Sequence, residues 1–92
     1  MNSLNKTPLI TIIVPVYNTK QYLKECLETI RRQTLDRIEI ILVNDGSTDG
    51  SQSICEEYKY IDNRFSVIHQ QNKGLSASRN KAIEKAKGEY IL

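Results

Sequence analysis

The sequence has few cysteines, and their spacing does not indicate a reactive site. The two that are present, Cys26 and Cys55, lie far apart, and neither belongs to a CxxC pair or a Cys/His cluster. Structural zinc sites and dithiol redox sites both need such spacing, so neither kind of site is supported. We therefore predict that both thiols act as small hydrophobic side chains in the core.

Long hydrophobic runs and blocks of like charge are also absent. The longest apolar stretch, 9–17, is interrupted by Thr11 and Pro15, and it is shorter than the ~20 residues that cross a bilayer. Thirteen Lys and Arg alternate with eleven Asp and Glu, for a net charge of +2, so nucleic acid is not an expected partner. Residues 1–8 show no apolar segment with a cleavage site, so we expect no secretory signal and a cytoplasmic location.

The composition that remains is that of an ordinary globular protein. Hydrophobic residues make up 39% and charged residues 26% of the 92 residues, which argues against disorder, a coiled coil or a collagen-like chain. At roughly 100–200 residues per domain, this length corresponds to one small domain or part of a larger one. We expect an N-terminal tail over 1–8 and one structural unit over 9–92.

The hydrophobic pattern predicts alternating strands and helices. Nearly continuous β-branched runs predict strands buried on both faces, and apolar residues spaced three and four apart predict amphipathic helices. The predicted strands cover 9–17, 38–44, 65–69 and a run from 89, and the predicted helices cover 21–33, 47–60 and 76–87. This β-α-β-α-β-α-β order predicts an α/β fold with a doubly wound, mostly parallel sheet. Ser47 or Thr48 is expected to cap the second helix, with Asp49 in its first turn, and Ser76 to cap the third.

The loops after the predicted strands are polar and are expected to lie on one rim of the sheet. An open parallel sheet binds ligands beyond the carboxyl ends of its strands, where the strand order reverses. The first loop, 16–20, contains no glycine, so the GxGxxG signature of NAD and FAD sites is absent. The glycines of the second loop, Gly46 and Gly50, are wrongly spaced for a P-loop, and no Lys-Ser or Lys-Thr follows them. ATP hydrolysis of the P-loop kind is therefore excluded.

Two rim residues have chemistry that suits a nucleotide, and each also has a structural alternative. Asp45 can accept a hydrogen bond from a ribose hydroxyl or a base N–H, or it can form an Asx-turn or cap a helix beside Gly46. Tyr17 can stack on a base, or it can cover the strand end as an aromatic lid. The residue pattern leaves both pairs of alternatives open.

Arg79 and His69 are the other candidate polar residues. Arg79 is predicted to face the sheet with Ile83 and Ala86, where an unpaired charge would be costly. It then needs an anion, either a ligand phosphate or, as the preferred interpretation, a protein carboxylate such as Asp45 or one beyond Leu92. His69 has no Ser or Cys nucleophile beside it, so we interpret it as a partly buried, hydrogen-bonded histidine. The carboxylates interpreted as solvated surface groups are Asp36, Glu56, Glu57 and Asp62.

Together, the rim loops resemble those of family 2 glycosyltransferases, GT-A type enzymes that move a sugar from a nucleotide diphosphate sugar to an acceptor. The matching stretches read IIVPVYN at 12–18, QT at 33–34, EIILVNDGSTD at 39–49, NKGLSASRN at 72–80 and GEYI at 88–91. They follow the family's order and spacing over nearly all of 9–92. Ser78 stands where the family most often has alanine.

The resemblance implies that 9–92 is the nucleotide-binding, Rossmann-like half of a GT-A domain that is incomplete at its carboxyl end. The donor-binding residues it implies are Pro15, Val16, Tyr17, Asn18, Asp45, Gly46, Ser47 and Arg79. Among them, Pro15, Val16 and Tyr17 would line a base pocket, and Asp45 would bond a uracil-like base. Arg79 would lie near the diphosphate or brace the metal loop.

The resemblance also implies groups outside this sequence. In the family, the strand begun by 89–92 runs into an Asp-x-Asp motif that holds Mg²⁺ or Mn²⁺, and that motif and the general base of the inverting mechanism are expected beyond Leu92. No catalytic residue is expected within the chain. The expected partners are a UDP-sugar and a glycan or lipid-linked acceptor in cell-surface polysaccharide synthesis. Peripheral membrane association through other regions and self-association of the fragment are further expectations.

Two alternatives come from other classes of protein. A non-catalytic interaction or regulatory module of the receiver kind would carry an acidic cluster after the first strand and a phosphorylatable Asp after the third. The sequence has Tyr17-Asn18 and Gln71-Asn72 at those positions. A nucleotidyltransferase would have a Gly-rich loop bearing Arg or Lys after the first strand, and that loop is missing as well.

Overall fold

Strands and helices alternate along the chain in the predicted order. The computed structural model describes residues 8, 10–32, 37–88 and 90–91. The elements are β1 (Ile10–Val16), α1 (Lys20–Arg31), β2 (Ile38–Asp45), α2 (Ser51–Ile61), β3 (Phe65–Gln70), α3 (Leu75–Lys85) and β4 (Tyr90–Ile91). Residues 1–7 of the predicted tail lie outside the described residues, as do 33–36, 89 and 92. The α/β prediction is confirmed.

The described strands form one parallel sheet in the order β3-β2-β1-β4. β2 pairs along the whole of β1, from Ile38 opposite Ile10 to Asn44 opposite Val16. β4 lies on the other side of β1 and pairs with Ile10 and Thr11. Because the strand order reverses beside β1, its carboxyl end is where an open sheet of this kind binds ligands.

Helices cover both faces of the sheet, as the doubly wound prediction requires. On one face, α1 and α2 bury a core against β1, β2 and β3, and its members include Leu23, Leu27, Ile40, Leu42, Cys55, Tyr58 and Phe65. On the other face, Ala82 of α3 packs against Ile41 and Val43. Every residue of β2 except Glu39 is buried, which explains the continuous apolar run in its sequence. No described helix is long and apolar enough to cross a membrane.

The prediction for the cysteines is correct for Cys55 and wrong for Cys26. Cys55 is fully buried, and burial raises the pKa of its thiol to about 11. Cys26 is exposed. α1 directs Leu23 and Leu27 into the core, so Cys26 lies beside the buried stripe of this helix and not within it.

The start of α2 differs from the prediction. The helix begins at Ser51 with Gly50 as its N-cap, at φ 99°, so neither Ser47 nor Thr48 caps it. Asp49 lies before the helix, where its Oδ1 accepts hydrogen bonds from the backbone N–H of Ser51 at 3.0 Å and from its hydroxyl at 2.6 Å. This local bonding competes with helix geometry and delays the first turn.

The start and inward face of α3 also differ from the prediction. Gly74 is the N-cap, and Ser76 lies inside the first turn. The side chains that face the sheet are Ser78 and Ala82, which are 1% and 0% exposed. Arg79 is exposed, so its predicted inward position is wrong. The small side chains of Ser78 and Ala82 allow α3 to approach the sheet closely, and the longer side chains then turn outward.

The turn between α3 and β4 is bonded to the amino ends of the two central strands. The hydroxyl of Thr11 donates to Glu39 Oε1 at 2.7 Å, and the backbone N–H of Lys87 donates to the same oxygen at 2.8 Å. The backbone N–H of Gly88 donates to Thr11 Oγ1 at 2.9 Å. These three hydrogen bonds fix where β4 begins to run along β1.

Candidate functional site

A cleft of about 320 Å³ opens at the carboxyl ends of β1 and β2. We call it the rim cleft. Its lining residues are Pro15, Val16, Tyr17, Thr19, Asp45, Asn72, Gly74 and Ser78. The three loops that the sequence placed on one rim therefore do meet there, and α3 closes one side of the cleft.

Asp45 ends β2 and is only 6% exposed. Its Oδ1 accepts hydrogen bonds from Gln70 Nε2 at 2.9 Å and from the backbone N–H of Lys73 at 2.7 Å, and its Oδ2 accepts from the backbone N–H of Gly74 at 2.9 Å. These hydrogen bonds lower the pKa of Asp45, and the one from Gln70 has the largest effect. The carboxylate is thus ionised at neutral pH, and it holds the start of α3 against the sheet while also lining the cleft.

Gly46 lets the second and third rim loops come together. Its φ is +77°, a conformation that favours glycine. A Cβ on Gly46 would lie 2.9 Å from the backbone nitrogen of Asn72, which is too close for any side chain. Gly46 therefore supports the cleft by its lack of a side chain.

Gln70 and Ser78 are site residues that the sequence analysis missed. Besides Asp45, Gln70 Nε2 donates to Ser78 Oγ at 2.8 Å, and that hydroxyl donates to the carbonyl of Gly74 at 3.0 Å. The hydroxyl of Ser78 thus joins β3 to the start of α3. The signal that could have found Gln70 is the strand register, which places it directly opposite Asp45.

Three residues of the first rim loop provide the apolar wall of the cleft. Val16 is fully buried, Pro15 is exposed, and Tyr17 is 48% exposed with its side chain at the mouth. Thr19 is a further residue that the sequence analysis missed: its hydroxyl oxygen is buried and has no hydrogen-bond partner among the described residues. The wall therefore offers an aromatic surface and one polar atom without a protein partner.

Asn18 and Ser47 connect the first and second rim loops. The backbone N–H of Asn18 donates to Ser47 Oγ at 3.0 Å, and Asn18 Oδ1 accepts from the backbone N–H of Thr48 at 2.8 Å. Asn18 adopts φ 50° to do so, a conformation that Asn tolerates better than most residues. Neither residue lines the cleft, so a ligand contact for either remains a prediction.

A second, larger cleft of about 650 Å³ lies between α1 and α2, away from the strand ends. Several of its polar groups contact one another. The hydroxyl of Tyr58 donates to Glu28 Oε2 at 2.8 Å, and Lys24 Nζ lies 3.9 Å from Glu57 Oε1. Contact with Glu28 adds to the effect of burial, which raises the pKa of Tyr58 to about 12. The rim cleft is the better candidate because it lies at the carboxyl ends of the strands, where open parallel sheets bind ligands.

Metal ligands are not grouped in the part of the chain that the structure describes. Within 10–32, 37–88 and 90–91, no cluster of three or more His, Cys, Asp or Glu side chains could hold a metal ion. The Asp-x-Asp motif that the resemblance implies beyond Leu92 remains a prediction.

Comparison with known proteins connects the chain to one family. EpsH of Bacillus subtilis (strain 168), which is named as a glycosyltransferase, is 59% identical over 86 residues, covering 94% of this chain and 25% of EpsH. The chain thus spans about a quarter of the length of this curated relative.

Two solved structures share the fold at more than 25% sequence identity. The mannosyltransferase PcManGT from Pyrobaculum calidifontis, in complex with GDP-Man and Mn²⁺, matches with a TM-score of 0.83 and 27% identity, over 95% of this chain and 27% of that one. Residues 1–349 of S. aureus TarS, in complex with UDP, match with a TM-score of 0.74 and 31% identity, over 91% of this chain and 26% of that one. The sequence model of glycosyl transferase family 2 matches residues 11–92. The chain therefore belongs to glycosyl transferase family 2.

Proposed function

We propose that this chain forms the donor-nucleotide part of a glycosyltransferase that moves a sugar from a nucleoside diphosphate sugar to an acceptor hydroxyl. The observation that carries the proposal is the rim cleft, which combines the buried Val16, the half-exposed ring of Tyr17 and the ionised Asp45. A nucleobase needs an aromatic or apolar surface and a hydrogen-bond partner at its edge, and this cleft offers both.

UDP is the nucleotide that we propose for the donor. An ionised carboxylate has about four lone-pair sites. Asp45 uses two on Oδ1 and one on Oδ2, so one site on Oδ2 remains for the N–H of a uracil base. The TarS structure in complex with UDP supports uracil as the base. The PcManGT structure in complex with GDP-Man makes guanine the competing base.

The rest of the proposed reaction depends on groups outside the described residues. We propose an inverting transfer that uses Mg²⁺ or Mn²⁺, in line with the Mn²⁺ in the PcManGT complex. The metal would supply charge neutralisation at the leaving diphosphate. The proposed acceptor is a hydroxyl of a cell-surface polysaccharide or lipid-linked glycan. A cytoplasmic location and peripheral membrane association remain predictions.

The open edge of β1 supports the proposal that the 92-residue chain self-associates when isolated. β4 pairs with β1 only at Ile10 and Thr11. Among the described residues, positions 12–16 of β1 therefore have a neighbouring strand on one side only, namely β2. An unpaired apolar strand edge favours pairing with another chain.

Replacing Tyr17 by alanine is expected to weaken UDP binding by about 1–3 kcal/mol, because base–aromatic stacking contributes that much per base. Tyr17→Phe keeps the ring and should bind like the unmodified protein. Calorimetric titration of UDP into the protein that carries this chain measures both. Tyr60→Ala is the matched control, because Tyr60 is 90% exposed on α2 and away from the rim cleft. Equal UDP affinities for all three variants would show that Tyr17 only covers the strand end and does not stack on the base.

Replacing Arg79 by methionine is expected to leave the melting temperature unchanged, because Arg79 is exposed. If Arg79 meets the diphosphate, UDP affinity should fall up to about tenfold at low salt and less at high salt, while uridine affinity stays the same. Lys81→Met is the control, since Lys81 is an exposed cation of the same helix. A large drop in melting temperature for Arg79→Met would contradict this account.

A further inference from the structure

β3 ends with two residues that contact β2 on opposite faces of the sheet. His69 lies opposite Asn44, and Gln70 lies opposite Asp45. Gln70 orients the Asp45 carboxylate on the α3 side, as described above. His69 contacts Asn44 on the other side, where α2 also contributes a partner. The side chains at the end of β3 therefore hold the last two residues of β2, Asn44 and Asp45.

The bonds around Asn44 fix which ring nitrogen of His69 carries the proton. The backbone N–H of Ser47 can only donate, so Asn44 presents Oδ1 to it, at 3.2 Å. The amide nitrogen of Asn44, which also can only donate, then faces His69 Nδ1 at 3.1 Å. Nδ1 must be the acceptor, and the proton lies on Nε2, which donates to Glu56 Oε2 at 2.6 Å. The arrangement requires a neutral imidazole.

The burial of Asn44 makes the loss of its hydrogen bond to a neutral His69 ring costly. Asn44 is only 2% exposed, and a buried amide without partners is strongly unfavourable. Its Oδ1 accepts a hydrogen bond from the backbone N–H of Ser47, across the turn that contains Asp45 and Gly46. The hydroxyl oxygen of Ser47 in turn accepts a hydrogen bond from the backbone N–H of Asn18. A rotation of the Asn44 amide would therefore disturb both the first and the second rim loops.

We propose that His69 is a positioning residue for the rim cleft, which holds the 44–47 turn through Asn44 and does so only as the neutral tautomer protonated on Nε2. A proton on Nδ1 would place two donors face to face. Asn44 would then turn its oxygen to His69 and its amide nitrogen to Ser47, whose backbone N–H would lose its acceptor. UDP binding should weaken as His69 takes up a proton, and this part rests on the proposed function.

The groups that face the ring come from the two elements packed against β3. From α2, the carboxylate of Glu56 accepts the hydrogen bond from Nε2, and Lys59 Nζ lies 3.9 Å from Glu56 Oε1. The hydrogen bond from His69 lowers the pKa of Glu56, so this carboxylate is ionised at neutral pH. From β2, the uncharged Asn44 faces the ring, while the Asp45 carboxylate bonds to Gln70. Glu56 therefore provides the acceptor that holds the proton on Nε2.

Nitrogen-15 NMR of the protein that carries this chain tests the proposal without a ligand. At about pH 8 we expect His69 to show a protonated Nε2 and an unprotonated Nδ1. When the sample is then acidified stepwise to about pH 5, the backbone amide of Ser47 should shift together with the signals of the His69 ring. Over the same range, the Kd for UDP should rise about tenfold, the usual effect of leaving one buried hydrogen-bonding group without a partner.

Two variants make the test specific. His69→Gln keeps an acceptor for Asn44 and a donor for Glu56 but does not titrate, so it should remove the shift of the Ser47 amide and flatten the pH dependence of UDP binding. Glu56→Gln keeps an acceptor for Nε2, so the ring should stay protonated on Nε2 at about pH 8. A ring protonated on Nδ1 at pH 8, or a Ser47 amide that ignores the titration of His69, would overturn the proposal. If UDP fails to bind at any pH, the proposed function is wrong, and the ring and amide signals still decide the role of His69.

Discussion

Replacing Gly88 by alanine is expected to lower the melting temperature of the protein by about 5–20 °C. A Cβ at this position would lie 2.5 Å from Thr11 Oγ1, 2.7 Å from the backbone nitrogen of Thr11 and 2.8 Å from the carbonyl carbon of Ile10. Two of these atoms belong to the backbone of the central strand β1 and cannot move aside cheaply. The turn must shift instead and lose the hydrogen bonds that join it to Thr11 and Glu39. Thermal unfolding followed by circular dichroism measures the loss.

Gly74→Ala is the matched control for this prediction. Gly74 has φ +93°, but a Cβ there would meet no atom within 4 Å. Its substitution therefore adds backbone strain without a steric clash, and strain in this glycine-only region, with ψ 166° at Gly74, costs about 1–3 kcal/mol. We expect Gly88→Ala to be the more damaging of the two. A melting temperature for Gly88→Ala equal to that of the unmodified protein would show that the turn is not fixed against β1 as described.

Replacing Asp45 by asparagine is expected to weaken UDP binding about tenfold to a hundredfold and to lower the melting temperature as well. The amide can keep an oxygen toward Gln70 and Lys73, but its nitrogen then faces the backbone N–H of Gly74, which needs an acceptor. The position also loses the charge that would bond the base. Calorimetric titration of UDP and a thermal melt measure the two effects separately.

The acid dependence of stability gives an independent measure of the same carboxylate. Hydrogen bonds lower the pKa of Asp45 in the folded protein. Its contribution to stability is therefore complete above the ordinary pKa of an aspartate and is lost as pH falls through its folded value. Asp45→Asn should lose less stability on acidification than the unmodified protein, because asparagine does not titrate.

Asp62→Asn is the control that separates folding from binding. The side chain of Asp62 also accepts several hydrogen bonds, from the backbone and guanidinium of Arg64, and they lower its pKa. This pair precedes β3, at the amino end of the sheet. Asp62→Asn should lower the melting temperature and leave the UDP affinity of the folded protein unchanged. Equal losses of UDP affinity in the two variants would mean that Asp45 acts only through folding.

The strands could be predicted from sequence because burial on both faces leaves a clear signal. The apolar run 38–44 differs by one residue from β2, and 65–69 differs by one residue from β3. The helix starts were less predictable. They depend on the hydrogen-bond partners that the polar side chains of the preceding loop find. Asp49 bonds Ser51 ahead of α2, and the sequence alone does not distinguish that from a place in the first turn.

The position of the rim cleft could be predicted from the sequence, but the hydrogen bonds that support it could not. Parallel strands put their carboxyl ends on one edge, so the residues 15–18, 44–47 and 72–74 had to meet. The partners of Asp45 and Asn44 come from β3, and finding them requires the register of β3 against β2. For the same reason, Glu56 was interpreted as a solvated surface group although it bonds His69. Arg79 was placed inward because the small residues Ser78 and Ala82 give only a weak apolar signal.

The most direct test of the account is a nitrogen-15 NMR titration of the protein with UDP, with GDP as the competing nucleotide. If the rim cleft is the donor site, the backbone amides of 16–19, of Asp45 and of 72–74 shift on addition of UDP, and GDP produces smaller shifts at equal concentration. The amides of 24–32, which border the cleft between α1 and α2, should stay unchanged. Shifts confined to 24–32, or no shift at the rim cleft at millimolar UDP, would contradict the assignment of the rim cleft as the donor-nucleotide site.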